Sequence, residues 1–562
     1  MKFPLTIAVL AALLLMFRWA FLPHGRLPRF RVAITKIRLR LRLHPGRGFA
    51  TVFELWLRWS RFASFRQSRR ARPSLPVWQR MRHSATHSVF LGRAQYFHGL
   101  RLAIQEHLTI FGPPRVGKSG FLARVILRYR GAIVSTSTKP DMFSLTSGIR
   151  ARRGPVCIFN PQKIGGNKAA STIRWNPIAG CDDPSVAIRR AQAFTEAVGT
   201  EGTEDNNFWA EQAANQMRAL LCAAALDGKD FRAVAHWILS GLTQEAETIL
   251  LSHGRISWAA TVAQMRGKAE KTTATIRLVL TTAVAFMADP TLAECVLPDN
   301  GTGFGIGQFL REEGTLYLIG ESRGQSSPIA PLFAGIVSEI HWTATQLGSA
   351  MRGARLDPPV ALVLDEVTQI VPIPLPSILA DSGGRGIQII TACHGISQLK
   401  GRWKDAGARA VLDTSNQLFL PGILDPETLD MASKLCGQAA FKEHGDDKTG
   451  RHPVAPPELI RQLPAKRGLV LRGSAAPVIA RLPMAWRDWR YLLARLRRQD
   501  VARLTPVPAL AAIDLPALPY DPADIEPEGA GSELLPDLTG ATAASASGNG
   551  HSDSGTSYPW SA

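Results

Sequence analysis

The chain has 562 residues, of which 45% are apolar and 20% are charged. These values are typical of globular domains, so they exclude both wholesale disorder and a polytopic transporter, and the length indicates two to four domains. The formal net charge is +21 and is unevenly distributed.

The two ends of the chain carry opposite charge. Residues 1–82 hold 18 Lys/Arg and one acid, Glu54, which gives a net charge of +17, whereas residues 501–562 hold one base and eight acids, which gives −7. The basic end predicts a polyanion or a membrane surface as partner. Six scattered cysteines without a CxxC pair exclude a disulfide scaffold and a zinc ribbon, and they suit a reducing compartment.

The first element is an apolar run, Phe3–Leu22, about as long as the ~20 residues that cross a bilayer core. No small-x-small cleavage site follows it, and residues 23–47 carry eight Lys/Arg and no acid. Because basic flanks stay in the cytoplasm, we expect an uncleaved signal anchor over residues 1–24, with the bulk of the chain in the cytoplasm. A cleaved signal peptide is the alternative.

Residues 25–84 form a basic juxtamembrane segment with amphipathic character. Aromatic and apolar residues recur at helical spacing over 49–65, where Glu54, Arg58 and Arg61 interrupt them. This pattern predicts either a helix that lies in the membrane interface or a helix that packs on the next domain. The arginines of 66–82 suit anionic lipid or DNA phosphate equally well.

A phosphate-binding motif follows. Residues 112–119 match G-x-x-x-x-G-K-[ST] at every fixed position, after a strand-like run at 108–111 and before a helix-like run at 120–129. Backbone N–H groups of such a loop surround phosphate oxygens, the lysine reaches the β and γ phosphates, and the hydroxyl ligates Mg²⁺. We therefore expect ATP to be bound by Gly112, Pro113, Pro114, Arg115, Val116, Gly117, Lys118 and Ser119, and Ser119 to be a metal ligand.

A second acidic motif stands far along the chain. The apolar run 359–364 ends in Asp365 and Glu366, as a buried parallel strand does at the edge of an α/β sheet where ligands bind. We expect Asp365 to hold Mg²⁺ through water and Glu366 to polarise the attacking water. An alternative is that these acids only cap a helix after a core strand.

The long separation of the two motifs predicts an inserted region. Strand-like runs stand at 131–136, 155–159 and 315–319, and between them the segments 186–199, 208–226, 230–240, 243–252 and 269–287 have helical periodicity. We therefore predict an α/β nucleotide-binding domain made of residues 85–182 and 299–490, with an all-α domain inserted at 183–298. Residues 491–562, acidic and rich in Pro, Ala, Gly and Ser, are predicted to be a disordered tail.

Further candidate residues surround the second acidic motif. Strand-like residues 387–391 precede His394, which we predict to be a polar sensor of the γ-phosphate, although a loop histidine is the alternative. Arg385, in a Gly-rich loop, is predicted to be an arginine finger for a neighbouring subunit, and a surface turn is the alternative.

Other strand candidates are 417–420 and 469–472. In the insert, Lys268, Lys271 and Arg277 are candidates for DNA contact, or simply a solvated helix face.

Over residues 85–485 the chain resembles the type IV secretion coupling proteins, the TraD/TraG-like conjugation ATPases of the FtsK/HerA superfamily. The matching stretches are residues 112–119, 175–177, 207–209, 364–366, 384–386, 397–399, 425–427, 436–437, 457–459, 463–464 and 468–471. The resemblance implies a RecA-like P-loop NTPase domain carrying an all-α domain, anchored in the bacterial cytoplasmic membrane as a homo-hexamer.

The resemblance also implies a task. Members of this family use ATP and Mg²⁺ to deliver a relaxase-bound single DNA strand to a type IV secretion channel, so relaxase, channel components, DNA and membrane lipids are the expected partners. Two alternatives stay open from the sequence. One is a double-stranded DNA pump of the FtsK type, and the other is a membrane-tethered ATP-binding adaptor that recruits protein cargo with little turnover.

Overall fold

A computed structural model describes residues 47–94, 97–198, 206–267, 270–297, 304–321, 328–441, 450–497 and 499. The predicted anchor at 1–24 and residues 501–562 of the predicted tail lie outside the described residues. The prediction that the disordered tail begins at 491 is wrong, because residues 491–496 belong to a helix, Trp489–Leu496, in which Tyr491 and Ala494 are buried. Within the described part of the chain, no helix combines the length and the apolar character that crossing a bilayer requires.

One large mixed sheet organises the fold. The described strands are β1 (Ser88–Arg93), β2 (Gly99–Ala103), β3 (His107–Phe111), β4 (Ala132–Ser137), β5 (Val156–Phe159), β6 (Thr315–Ile319), β7 (Val360–Leu364), β8 (Ile387–Cys393), β9 (Ser415–Phe419), β10 (Gln438–Phe441), β11 (Gly450–Pro453), β12 (Arg467–Leu471) and β13 (Val478–Arg481). Eleven of them form the sheet in the order β2-β1-β13-β12-β9-β3-β8-β7-β4-β6-β5, and β10 pairs with β11 separately.

The half of the sheet from β9 to β5 is parallel. Every residue of β3, β4, β5, β6, β7 and β8 is buried, which explains why these strands are nearly continuous apolar runs and why the sequence predicts them. The strands predicted at 315–319 and 359–364 are confirmed as β6 and β7. The α/β character of the fold is confirmed with them.

The other half of the sheet is antiparallel and includes strands that the sequence reading missed. β12 runs antiparallel to β9, β13 to β12, β1 to β13, and β2 to β1. β1, β2 and β13 each carry an arginine among their apolar residues, so they lack the continuous apolar signal of the parallel strands.

Helices cover the sheet and build the inserted region. They are α1 (Val52–Trp59), α2 (Arg61–Arg66), α3 (Ser68–Ala71), α4 (Val77–Arg82), α5 (Lys118–Arg128), α6 (Asp141–Arg150), α7 (Pro184–Val198), α8 (Asn206–Leu226), α9 (Phe231–Ser240), α10 (Gln244–Ser252), α11 (Ile256–Gly267), α12 (Glu270–Ala283), α13 (Pro290–Glu294), α14 (Ile306–Arg311), α15 (Ala330–Ser349), α16 (Leu375–Ser382), α17 (Ile396–Thr414), α18 (Pro426–Cys436), α19 (Pro457–Arg461) and α20 (Trp489–Leu496).

The inserted helices α7 to α13 share a hydrophobic core with the sheet. α7 packs against both α8 and α15, and one cluster of buried residues includes side chains of the insert and of the parallel strands. Gly335 of α15 is essential at this contact, because an added Cβ would lie 2.7 Å from the Trp175 ring and 2.8 Å from the Phe194 ring. The division of the chain into separate domains therefore stays a proposal.

The segment before the sheet packs on its antiparallel half. Leu55 and Trp59 of α1 are fully buried, and Glu54 Oε1 accepts a hydrogen bond of 2.8 Å from the backbone N of Ala476. Farther along, Arg72 Nε pairs with Asp357 Oδ1 at 2.5 Å, and both side chains are buried. One face of α1 thus packs on the fold, as one of the two sequence alternatives predicted.

Candidate active site

The loop after β3 has the geometry of an anion site. α5 begins at Lys118, and the preceding Gly117 has φ +105°, a left-handed conformation that glycine adopts without strain. The backbone N of Gly112 donates to Cys393 O at 3.1 Å, which fixes the start of the loop to the neighbouring strand β8. The amino end of an eleven-residue helix therefore faces the loop and favours a phosphate there.

Lys118 is buried inside this loop, with 7% of its surface exposed. Burial lowers the pKa of its ammonium group, while the carboxylates of Asp365 and Glu366 act in the opposite direction. Lys118 Nζ lies 3.0 Å from His394 Nδ1, and the same ring nitrogen lies 3.2 Å from Gly112 O. The lysine is therefore held where a bound phosphate would replace its present partners.

The two acids follow β7 directly. Asp365 is buried, and its Oδ1 atom has no hydrogen-bond partner within the described residues. Burial raises the pKa of its carboxyl group to about 6, with Lys118 opposing this change. Glu366 has φ +50°, an uncommon conformation for a residue with a side chain. A buried carboxylate oxygen that has no hydrogen-bond partner and lies close to the lysine is the kind of oxygen ligand that a divalent cation binds.

His394 lies at the carboxyl end of β8, and its backbone N donates to Gln398 Oε1 at 2.8 Å. Because β3, β8 and β7 are neighbours, the structure brings Lys118, Asp365, Glu366 and His394 to one edge of the sheet. Arg385 is not among them. It lies before the amino end of β8, at the opposite edge, where its Nε pairs with Asp381 Oδ2 at 2.5 Å.

The structure adds residues that sequence reasoning missed. An added Cβ at Gly120 would lie 2.4 Å from the Trp486 ring, and one at Gly117 would lie 3.4 Å from Met484. The chain after β13 therefore packs over the phosphate-binding loop. Asp488 fixes it there through Arg124 and Arg128, at 2.7 and 2.8 Å. Hundreds of residues separate these partners, so no local pattern could have indicated the contact.

The candidate DNA-binding helix in the insert is described only in part. Lys268 lies outside the described residues, and the side chain of Lys271 is not described either. Arg277 of α12 donates through Nη2 to Leu239 O at 2.7 Å, so it caps the carboxyl end of α9. A DNA contact by these three residues stays a prediction.

Comparison with known proteins adds a family match. Residues 359–465 match the family described as the TraM recognition site of TraD and TraG. This match confirms the resemblance to the TraD/TraG-like coupling proteins that the sequence indicated. None of the curated proteins matches the chain.

Several solved structures are similar to this chain. The bacterial conjugative coupling protein TrwBdeltaN70, in an unbound monoclinic form, is 20% identical over 71% of this chain and 90% of that chain, with a TM-score of 0.53. Plasmid coupling protein TrwB in complex with ADP and Mg²⁺ is 19% identical over 68% and 85%, with a TM-score of 0.53. Its complex with the ATP analogue ADPNP is 18% identical over 67% and 86%, with a TM-score of 0.52. These likenesses show that the fold is that of TrwB.

Proposed function

We propose that this chain is a membrane-anchored ATPase that couples ATP hydrolysis to the delivery of DNA into a type IV secretion or conjugation channel. The observation that carries the proposal is the convergence of Lys118, Asp365, Glu366 and His394 at the end of three neighbouring parallel strands. The family match over residues 359–465 supports the choice of this ATPase class over other nucleotide hydrolases.

Each residue of the candidate site has its own role in ATP binding or hydrolysis. The loop 112–119 binds the phosphates of ATP through its backbone N–H groups, and Lys118 neutralises the β and γ phosphates. Ser119 and Asp365 are the oxygen ligands that would hold Mg²⁺, which neutralises phosphate charge when bound. Glu366 orients the attacking water, and His394 donates a hydrogen bond to the γ-phosphate.

The larger assembly is part of the proposal. We assign a RecA-like domain to residues 85–182 and 299–490, an all-α domain to 183–298, and a single-pass anchor in the bacterial cytoplasmic membrane to 1–24. A homo-hexamer would use Arg385 in trans, because the side chain lies at the sheet edge opposite its own loop 112–119. Relaxase, channel components and a single DNA strand are the proposed partners.

The test is the ATPase activity of the full chain in uncharged detergent, measured with single-stranded DNA, with duplex DNA and without DNA. We expect turnover that rises with single-stranded DNA and is absent from Lys118→Ala. Stimulation by duplex DNA alone would instead favour a double-stranded DNA pump. ATP binding without turnover under all three conditions would contradict the motor and favour an adaptor.

A further inference from the structure

A cavity of ≈ 600 Å³ opens on the side of the sheet where the parallel strands begin, opposite the candidate active site at their carboxyl ends. It lies between α1, α2 and the turn that joins β12 to β13. Glu106, which precedes β3, and Asn416, the second residue of β9, also line it. The five residues of β3, about 17 Å of strand, therefore separate this cavity from the phosphate-binding loop.

The cavity is basic. Three guanidinium groups line it, those of Arg58, Arg66 and Arg472, together with one carboxylate, that of Glu106. Arg472 Nη2 pairs with Glu106 Oε1 at 2.6 Å, so this carboxylate is already neutralised. Arg58 and Arg66 are exposed and leave a net charge of +2 for a ligand. The guanidinium fork matches the oxygen geometry of a phosphate group.

Polar atoms near Arg58 pre-organise the cavity. Arg58 Nη1 donates to Ser474 Oγ at 2.9 Å, and the Arg472 guanidinium lies 5.0 Å from the centre of the Trp59 ring. These contacts join α1 to the turn after β12 and hold two of the three arginines in place. A pre-positioned guanidinium loses less conformational freedom when it binds a phosphate.

An exposed apolar face lies beside the cavity. It consists of five side chains of α1 and α2 that are 39–70% exposed: Val52, Phe53, Trp56, Leu57 and Phe62. The three aromatic rings of this face stack, with centroids 6.4 Å apart for Phe53 and Trp56 and 5.5 Å apart for Trp56 and Phe62. Leu57 belongs to the face and also lines the cavity. Aromatic residues next to arginines on a surface helix are typical of the membrane interface.

The chain enters the fold at the same place. The backbone N of Ala50 donates to Pro477 O at 3.2 Å, immediately after the turn that lines the cavity. Upstream of this contact stands the apolar run Phe3–Leu22, and residues 1–82 as a whole carry a net charge of +17. The positive charge of residues 1–82 and the entry of the chain into the fold beside the cavity therefore both favour an anionic bilayer surface next to the cavity.

We propose that the cavity binds the phosphate of an anionic phospholipid headgroup, with the apolar face of α1 and α2 resting in the bilayer interface. Arg58 and Arg66 hold the phosphate, and Ser474 fixes the orientation of Arg58. This inference rests on the membrane attachment in the proposed function. It does not depend on ATP hydrolysis, so the chain could lack lipid binding and still hydrolyse ATP, or bind lipid without hydrolysing ATP.

The experiment titrates the full chain in uncharged detergent with dioctanoyl phosphatidylglycerol, dioctanoyl phosphatidylcholine or inorganic phosphate, and counts bound ligand by native mass spectrometry. We expect the phosphatidylglycerol to bind at least about tenfold more tightly than the phosphatidylcholine. The double variant Arg58→Gln/Arg66→Gln should lose about tenfold or more in affinity, because it removes two charge-assisted hydrogen bonds. The control is Arg232→Gln, whose side chain is 71% exposed on α9, and it should bind like the parent.

Arg66→Gln alone keeps the test valid if the double variant does not fold, because Arg66 is exposed, and it should also weaken binding. Equal affinity for the two lipids, or parental affinity in Arg66→Gln and the double variant, overturns the proposal. Binding of inorganic phosphate as tight as that of phosphatidylglycerol overturns the lipid assignment. A single-stranded oligonucleotide that binds through Arg58 and Arg66 where phosphatidylglycerol does not would make the cavity a nucleic-acid site and overturn the proposal too.

Discussion

The parallel half-sheet has a carboxyl edge, the side on which its strands end, and an amino edge, the side on which they begin. The two sides differ in how their functional groups are assembled. At the carboxyl edge, the catalytic candidates come from two short contiguous stretches, 112–119 after β3 and 365–366 after β7, and only β8 lies between these strands. At the amino edge, the basic cavity joins Arg58 to Ser474 across 416 residues of sequence. A site whose residues stand in short contiguous stretches is visible in the sequence as motifs, whereas a site made from single residues of distant segments is visible only in the fold.

The largest effect is expected at the carboxyl edge. Lys118→Ala should reduce ATP turnover to background, because the phosphate charge loses its buried partner. Turnover by the full chain measures this, and Lys434→Ala, an exposed lysine of α18, is the matched control. Phosphatidylglycerol binding should be unchanged in both variants. A shared loss of turnover and lipid binding would contradict the independence of the two edges.

Glu366→Gln is expected to slow turnover by about a thousandfold while nucleotide binding persists. The substitution keeps the shape of the side chain but removes the carboxylate that orients water, a contribution of the size usual for a general base. Single-turnover kinetics and nucleotide binding separate the two steps. Turnover close to the parental rate would place the hydrolytic residue elsewhere.

At the amino edge, the expected effect is on stability. Asp357→Ala leaves the buried Arg72 guanidinium unpaired and also removes the acceptor of the Ser74 backbone N, 2.9 Å away. Breaking a buried ion pair in this way costs about 3 kcal/mol, which should lower the thermal midpoint by a few degrees. The Arg72→Ala/Asp357→Ala variant should cost less than the sum of the single variants. Additive losses would mean that the two side chains act separately.

A smaller effect concerns pH and His107, the first residue of β3. Burial lowers the pKa of His107 to about 4, and its Nδ1 accepts from Ile389 N at 3.1 Å. The unfolded chain binds a proton near pH 6.5, so this residue destabilises the fold as the pH falls from 6.5 to 4. The loss amounts to about 2 kcal/mol at pH 5.

His107→Gln should therefore flatten the decrease in thermal midpoint between pH 6.5 and pH 5. The exposed His236 provides the control, since His236→Gln should leave the pH dependence of the parent intact. An unchanged pH profile in His107→Gln would show that the histidine is already protonated or solvated in the folded chain. ATP turnover at pH 8 should be the same in the parent and in both variants.

The sequence predicted the parallel strands because burial on both faces makes them continuous apolar runs. It also predicted most of the inserted helices, although α11, with its weak amphipathic pattern, was missed. Lys118, Asp365 and Glu366 were predicted to lie together, and the structure places them so. Trp486 and the Arg58 cavity were not predicted, because both depend on contacts between segments hundreds of residues apart. Such contacts leave no periodic or local trace.

The close approach at Gly335 has a consequence for how the molecule unfolds. Trp175 and Phe194 pack against this glycine, and one hydrophobic cluster runs from the parallel strands into the inserted helices. The hydrophobic interior of the insert is therefore continuous with that of the sheet. Heating should melt both parts in a single cooperative calorimetric transition, and cleavage inside the insert should lower the melting temperature of the nucleotide-binding region as well.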